Sequence, residues 1–206
     1  MTHPMEAERE RYLLLLTQVK ARLDLAHALL TPPPDILRVE FAALNIRKSI
    51  ELVVLGALVN NLEEARRVST AFDQKDWKEA RKLISSVNPN FWPVPSVQAP
   101  DASSGVVHLV DVDAPYLTES EAGRAWGLAS ELLHATNPFQ PEPNAAKWAA
   151  ILLDILNKLV TLLNHHQIFF KDDRFMAIAS LHTVGAAGMP DDFIQVALFD
   201  RVDAGP

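Results

Sequence analysis

"DILRVEFAALNIRKSIELVVLGALVNN", residues 35–61, is the most apolar long segment of a 206-residue chain, and its reading decides the fold. With successive helical residues about 100° apart, Glu40, Arg47 and Glu51 share one narrow stripe, while Arg38, Asn45, Ser49, Gly56 and Asn60 fall nearly opposite. Phe41, Leu52, Leu55 and Val59 fill one flank between these lines, and Val39, Ile46, Ile50, Val53 and Ala57 the other. A helix with two apolar flanks is sandwiched between neighbours, so at most one of its polar lines is freely solvated. The segment is expected to be the central helix of a bundle. Its Glu40/Arg47/Glu51 stripe reads either as a solvated face or as a buried network that sets helix register.

Upstream, a first helix is expected to begin near Thr2 or Pro4, with Glu6, Glu8 and Glu10 near the positive end of its dipole. Leu16, Val19, Leu23, Ala26 and Leu30 recur at helical spacing and make its core stripe, and "TPPP", residues 31–34, stops it. Downstream, Asn61 caps "LEEARRVSTAF", and "DWKEARKLISSV" adds a second short helix, together a helical hairpin. Residues 88–105, rich in Pro and Ser, read as a crossover with Phe91 and Trp92 covering the bundle end, and "VVHLVDV" as one short strand. "TESE", residues 118–121, is a capping box that opens a helix ending near Asn137-Pro138. Asn144 caps a last helix running through His166, with Trp148, Leu152, Ile155, Leu159 and Leu162 buried.

The period then changes. "QIFF", "RFMAIASL" and "FIQVALFDRV" are short β-prone runs separated by turn chemistry, which predicts a three-stranded antiparallel meander. The expected architecture is mainly α: four main helices, a short helical hairpin insert and a small C-terminal β meander. Residues 1–166 form the bundle and 167–206 the meander packed on it, as one compact unit.

Composition narrows the chemistry. The chain has no cysteine, which removes disulfides, thiolate zinc sites, iron–sulfur clusters and a cysteine nucleophile. A formal charge of −7 argues against broad binding to nucleic acid backbones. The apolar run at Leu13–Leu16 is too short for a signal peptide or a membrane span, so a cytoplasmic protein with no membrane association is expected. No glycine-rich phosphate loop and no nucleophile elbow occur. His165 and His166 are adjacent, so on a helix they diverge by about 100° and do not chelate one ion. No metal and no cofactor is expected.

Three stretches together, "ALNIRKSIELVVLGALVNN", "VNPNFWPVP" and "YLTESEAGRAWGLASELLHATNPF", resemble an abundant family of uncharacterised bacterial proteins related to HEPN domains, over roughly residues 10–200. The resemblance rests on the Arg-Lys-x-x-Glu run at Arg47, Lys48 and Glu51 and on the Leu-His-Ala-x-Asn-Pro-Phe end containing His134 and Asn137. It implies a dimerising helical bundle, either a metal-independent ribonuclease of toxin–antitoxin or phage-defence type or a non-catalytic module that binds a partner protein, RNA or a nucleotide.

The sequence departs from the nuclease pattern, an Arg followed after four to six residues by a His on one helix. Nine residues separate Arg124 from His134, between two and three turns at about 3.6 residues per turn. Arg47, supplied from the central helix, is the substitute, with His134 as general acid–base and Arg47 stabilising a developing phosphorane. Beside this stands a structural account. His134 in a last helical turn bonds free carbonyls and complements the dipole, and Asn137 ends the helix before Pro138. The missing arginine and the acidic charge favour the non-catalytic module, with Glu40, Lys48, Glu51 and Asn137 as its polar network; the ribonuclease is the alternative.

Overall fold

The computed structural model describes residues 5–31, 35–74, 76–100, 107–134, 143–170, 175–181 and 194–200. Six helices are described: α1 (Glu6–Leu30), α2 (Ile36–Gly56), α3 (Leu62–Asp73), α4 (Trp77–Val87), α5 (Glu119–Leu132) and α6 (Ala145–Asn164). The strands are β1 (Val94–Pro95), β2 (Val97–Pro100), β3 (Val107–Val110), β4 (His165–Phe169), β5 (Phe175–Ser180) and β6 (Gln195–Asp200). The protein is mainly helical with a small antiparallel sheet.

The central helix, α2, touches α1, α3, α5 and α6. Of the two flanks only one is buried as expected, with Val39, Ile46, Ile50, Val53 and Ala57 in the core; on the other, Val59 is buried, Leu52 and Leu55 are half-buried, and Phe41 is exposed. The helix is shorter than expected. It stops at Gly56, and residues 57–60 form a turn in which the Leu58 amide bonds the Leu55 carbonyl and the Asn61 amide bonds the Leu58 carbonyl. Asn61 is therefore not helical but caps α3, accepting from the Glu64 amide at 3.3 Å. The polar line opposite Arg47 is used for close approach of α1. Arg22 donates to Asn45 Oδ1 at 3.2 Å, and a Cβ on Gly56 would lie 2.7 Å from Cε2 of Tyr12. Only a residue without a side chain lets the two helices meet there.

On α1, Leu16, Val19, Leu23, Ala26 and Leu30 are all buried, and the helix ends at Leu30. Its expected start at Thr2 or Pro4 lies outside the described residues. Thr118 and Glu121 form the capping box of α5, and Asn144 caps α6 through the Lys147 amide. Helix α5 ends at Leu132, and Asn137 lies outside the described residues. Phe91 is buried beside Trp92, whose indole N–H donates to the Leu117 carbonyl at 3.0 Å.

The β region differs from the expected meander in two ways. The last helix ends at Asn164 rather than His166, and β4 starts at once with His165. His166, Ile168 and Phe170 alternate inward, so the change to period two comes two residues earlier than the apolar residues alone suggested. The sheet also has a fourth strand, in the order β1-β4-β5-β6, because Val94 and Pro95 of the crossover pair with Gln167 and His166. Beyond them, β2 and β3 form a separate two-stranded hairpin. The crossover is thus paired backbone on both sides of Ser96. The sheet returns to the first helix, where Arg9 donates to the Val196 carbonyl at 3.4 Å.

Candidate functional site

Helical spacing on α2 puts Arg47, Lys48 and Glu51 within one turn of each other, and packing against α5 adds Trp126. Glu51 is only 5% exposed and is surrounded by donors. Arg47 Nε donates to Oε1 at 3.0 Å, the Trp126 indole N–H to the same oxygen at 3.0 Å, and Lys48 Nζ to Oε2 at 2.7 Å. Burial by itself would raise the carboxyl pKa. The bonds from Lys48, Trp126 and Arg47 outweigh it and hold Glu51 below its ordinary value, so it is ionised. The Arg47 guanidinium also lies over the Trp126 ring, its Cζ 4.6 Å from the centroid. Of the two readings of the stripe, Arg47 and Glu51 form the buried network; Glu40 is half-buried.

Trp126 belongs to an aromatic cluster with Phe72 of α3 and Trp77 of α4, ring centroids 5.9–6.2 Å apart. Gly123, one turn before Trp126, admits this cluster, because any Cβ there would collide with the Trp77 indole. The helical hairpin is in this way fastened to α5 directly over the Arg47–Glu51 pair.

His134 lies elsewhere. It is exposed, two residues past the end of α5, and its amide donates to the Glu131 carbonyl at 3.2 Å. Its side chain makes no hydrogen bond to another described residue. Trp126 is six positions, roughly 9 Å of helix axis at about 1.5 Å per residue, from the end of α5 at Leu132, and His134 lies beyond that end. The guanidinium of Arg47, held against Trp126 and Glu51, is one group and the His134 imidazole another.

His165 and His166 are structural. On a strand they face opposite sides, which separates them for a reason other than the helical angle expected above. His165 bonds the Ser96 carbonyl at 2.9 Å and the Gln98 amide at 3.1 Å. His166 is fully buried against Tyr12, with Tyr12 Oη 2.6 Å from Nε2, and its Nδ1 is 3.0 Å from the Leu163 carbonyl. That carbonyl requires the proton on Nδ1, so Nε2 accepts from the phenol. Burial pushes the His166 pKa down to about 4 and the Tyr12 pKa up. Among the described residues no group of three or more His, Asp and Glu side chains could hold a metal ion. No described helix is long and apolar enough to cross a membrane.

No family model, no curated protein and no solved structure matches this chain. Its site is therefore read from its own residues. Sequence reasoning named Arg47, Lys48 and Glu51 but not Trp126, whose only local signal was its place among Ala122, Ala125 and Ala129, small residues that allow α5 to approach another helix closely.

Proposed function

We propose that the protein is a non-catalytic, HEPN-like interaction module of the bacterial cytoplasm, of the kind used in defence or toxin–antitoxin systems. The observation that carries this reading is the engagement of Arg47. A group that stabilises a transition-state phosphorane has to meet substrate, whereas this guanidinium is spent on Glu51 and Trp126 inside the fold.

The same module reading gives α2 an outward face for a second copy of the chain. Leu37 and Phe41 are 63% and 59% exposed, and Leu44 follows three residues on, nearly a full turn, so the spacing is that of a heptad seam. Leu25 of α1, also exposed, lies at the level of Phe41, because Arg22 meets Asn45 and Arg38 meets the Leu29 carbonyl across the antiparallel pair. Sedimentation equilibrium should find a dimer that Phe41→Glu converts to a monomer without loss of helicity. A wild-type monomer at tens of micromolar would remove the homodimer from the reading.

The competing reading, a metal-independent ribonuclease using His134 with Arg47, has its own test. Mixed RNA incubated in EDTA with the wild-type protein and with His134→Ala should remain intact in both. Degradation by wild type that is lost in His134→Ala would overturn the non-catalytic assignment, and equal degradation by both would mark a contaminant.

A further inference from the structure

Helices α1 and α3 stand apart on either side of α2 and leave a cleft between them. Its outer half, about 390 Å³, is apolar: Leu14, Leu55, Leu58, Leu62 and Ala65 line it, with Arg11 and Arg66 at its edge. Its inner half, about 140 Å³, is polar and lined by Arg22, Lys48, Glu51, Ser69 and Asp73. Leu55 and Ser69 line both halves, so the two adjoin at these side chains.

The polar half holds two cations, Arg22 and Lys48, and two carboxylates, Glu51 and Asp73, and the apolar half adds Arg11 and Arg66. Arg11 is matched by Glu8 at 3.4 Å and by the Val59 carbonyl, and Lys48 by Glu51. Arg22 and Arg66 have no carboxylate partner among the described residues. Arg22 has in addition an unanswered donor: its Nε is buried with no acceptor, while Nη1 alone is used on Asn45. Buried donors without partners are rare because they have lost water and gained nothing. Asp73 is exposed at the outer wall of the polar half and is the opposing charge there.

From this we infer that the cleft binds a single-chain amphiphile carrying a free carboxylate, with the chain along Leu14, Leu55 and Leu62 and the carboxylate at Arg22 and Ser69. Arg22 Nε is shielded from solvent, so presenting the Nε–Nη2 edge to two carboxylate oxygens, the pairing that guanidinium geometry favours, requires the half-buried side chain to rotate about its bond to Asn45. The apolar half is in the size range of small-ligand sites, which combine an apolar body with a few placed polar groups. This site goes beyond the module reading above, since docking through the outer face of α2 requires no small ligand.

The probe is decanoate, titrated calorimetrically below its micelle concentration into the full chain, beside decanol and decyltrimethylammonium. Decanoate should bind, and decyltrimethylammonium should bind at least about tenfold more weakly, the weight of one charge-assisted pair. Arg22→Met should weaken decanoate by about tenfold and leave decanol unchanged. Ala65→Trp, which fills the apolar half, should abolish binding of decanoate and decanol alike, with both variants checked for a wild-type melting curve. Binding of all three probes with equal strength, an Arg22→Met variant indistinguishable from wild type, or no decanoate heat at 1 mM (a concentration of about 10⁻³ M, the weak end of specific binding) would each overturn the assignment. None of these outcomes depends on RNA cleavage or on dimerisation.

Discussion

Replacing Glu51 with alanine is expected to destabilise the protein by about 3–5 kcal/mol, the usual cost of removing one partner from a buried ion pair. Three donors lose their acceptor together: Arg47, whose side chain is 12% exposed, the Trp126 indole N–H, and Lys48. Lys48 is exposed enough to be rehydrated, so most of the loss comes from Arg47 and Trp126. Glu51→Gln keeps an acceptor oxygen but removes the charge, and should cost about half as much, since bonds to charged groups are worth roughly twice neutral ones. Urea denaturation at pH 7, followed by circular dichroism, measures both. Trp126→Phe should then cost less in the Glu51→Ala background than in the wild type, because the orphaned indole N–H is gone while the packing loss is the same. Losses below about 1 kcal/mol for Glu51→Ala would show that the pair behaves as a surface salt bridge.

Acidification should weaken the fold through His166 before it reaches the carboxylates. The imidazole is neutral in the folded protein, with a pKa of about 4, against 6.5 for an unperturbed histidine. Burial is the principal cause, aided by His165 and opposed by the bond to the Leu163 carbonyl. Between these values the unfolded chain binds a proton that the folded one does not, so stability rises with pH there. The contribution is complete above pH 6.5, falls as the pH drops toward 4, and amounts to about 3 kcal/mol at roughly 1.4 kcal/mol per pKa unit. Glu51 acts in the same direction but lower, below its unperturbed value of 4.5. Denaturation midpoints from pH 7 to 4.5 should follow this slope, and His166→Gln should flatten it. An NMR titration of the His166 ring, unchanged from pH 8 to 5, checks the same claim without a variant; a midpoint near 6.5 would refute it.

Local rules made much of the fold legible. Asn61, Thr118 and Asn144 announce the starts of α3, α5 and α6 because a cap needs only its own next three amides. The core stripe of α1 follows from spacing alone. The ends of the helices were less legible. The central helix stops at Gly56 and α6 at Asn164, since each terminates where the following residues find better partners elsewhere: the turn to α3 for one, β1 and β5 for the other. The pairing of Val94 and Pro95 with β4 joins residues about seventy positions apart, and no feature of a two-residue strand advertises its partner.

The same division applies to the site. By itself the sequence determined that Arg47 and Glu51 share a helical stripe, since i,i+4 spacing brings two side chains together whatever surrounds them. Whether that stripe meets water was decided only in the tertiary structure. Helix α5 carries Trp126 over it, and Gly123 lets Trp77 close the cluster, which turns a surface pair into a buried one. The Tyr12–His166 bond and the two-sided cleft between α1 and α3 are likewise tertiary, built from segments far apart in the chain. Periodicity records which residues face the same way; what they face depends on which helices pack against them.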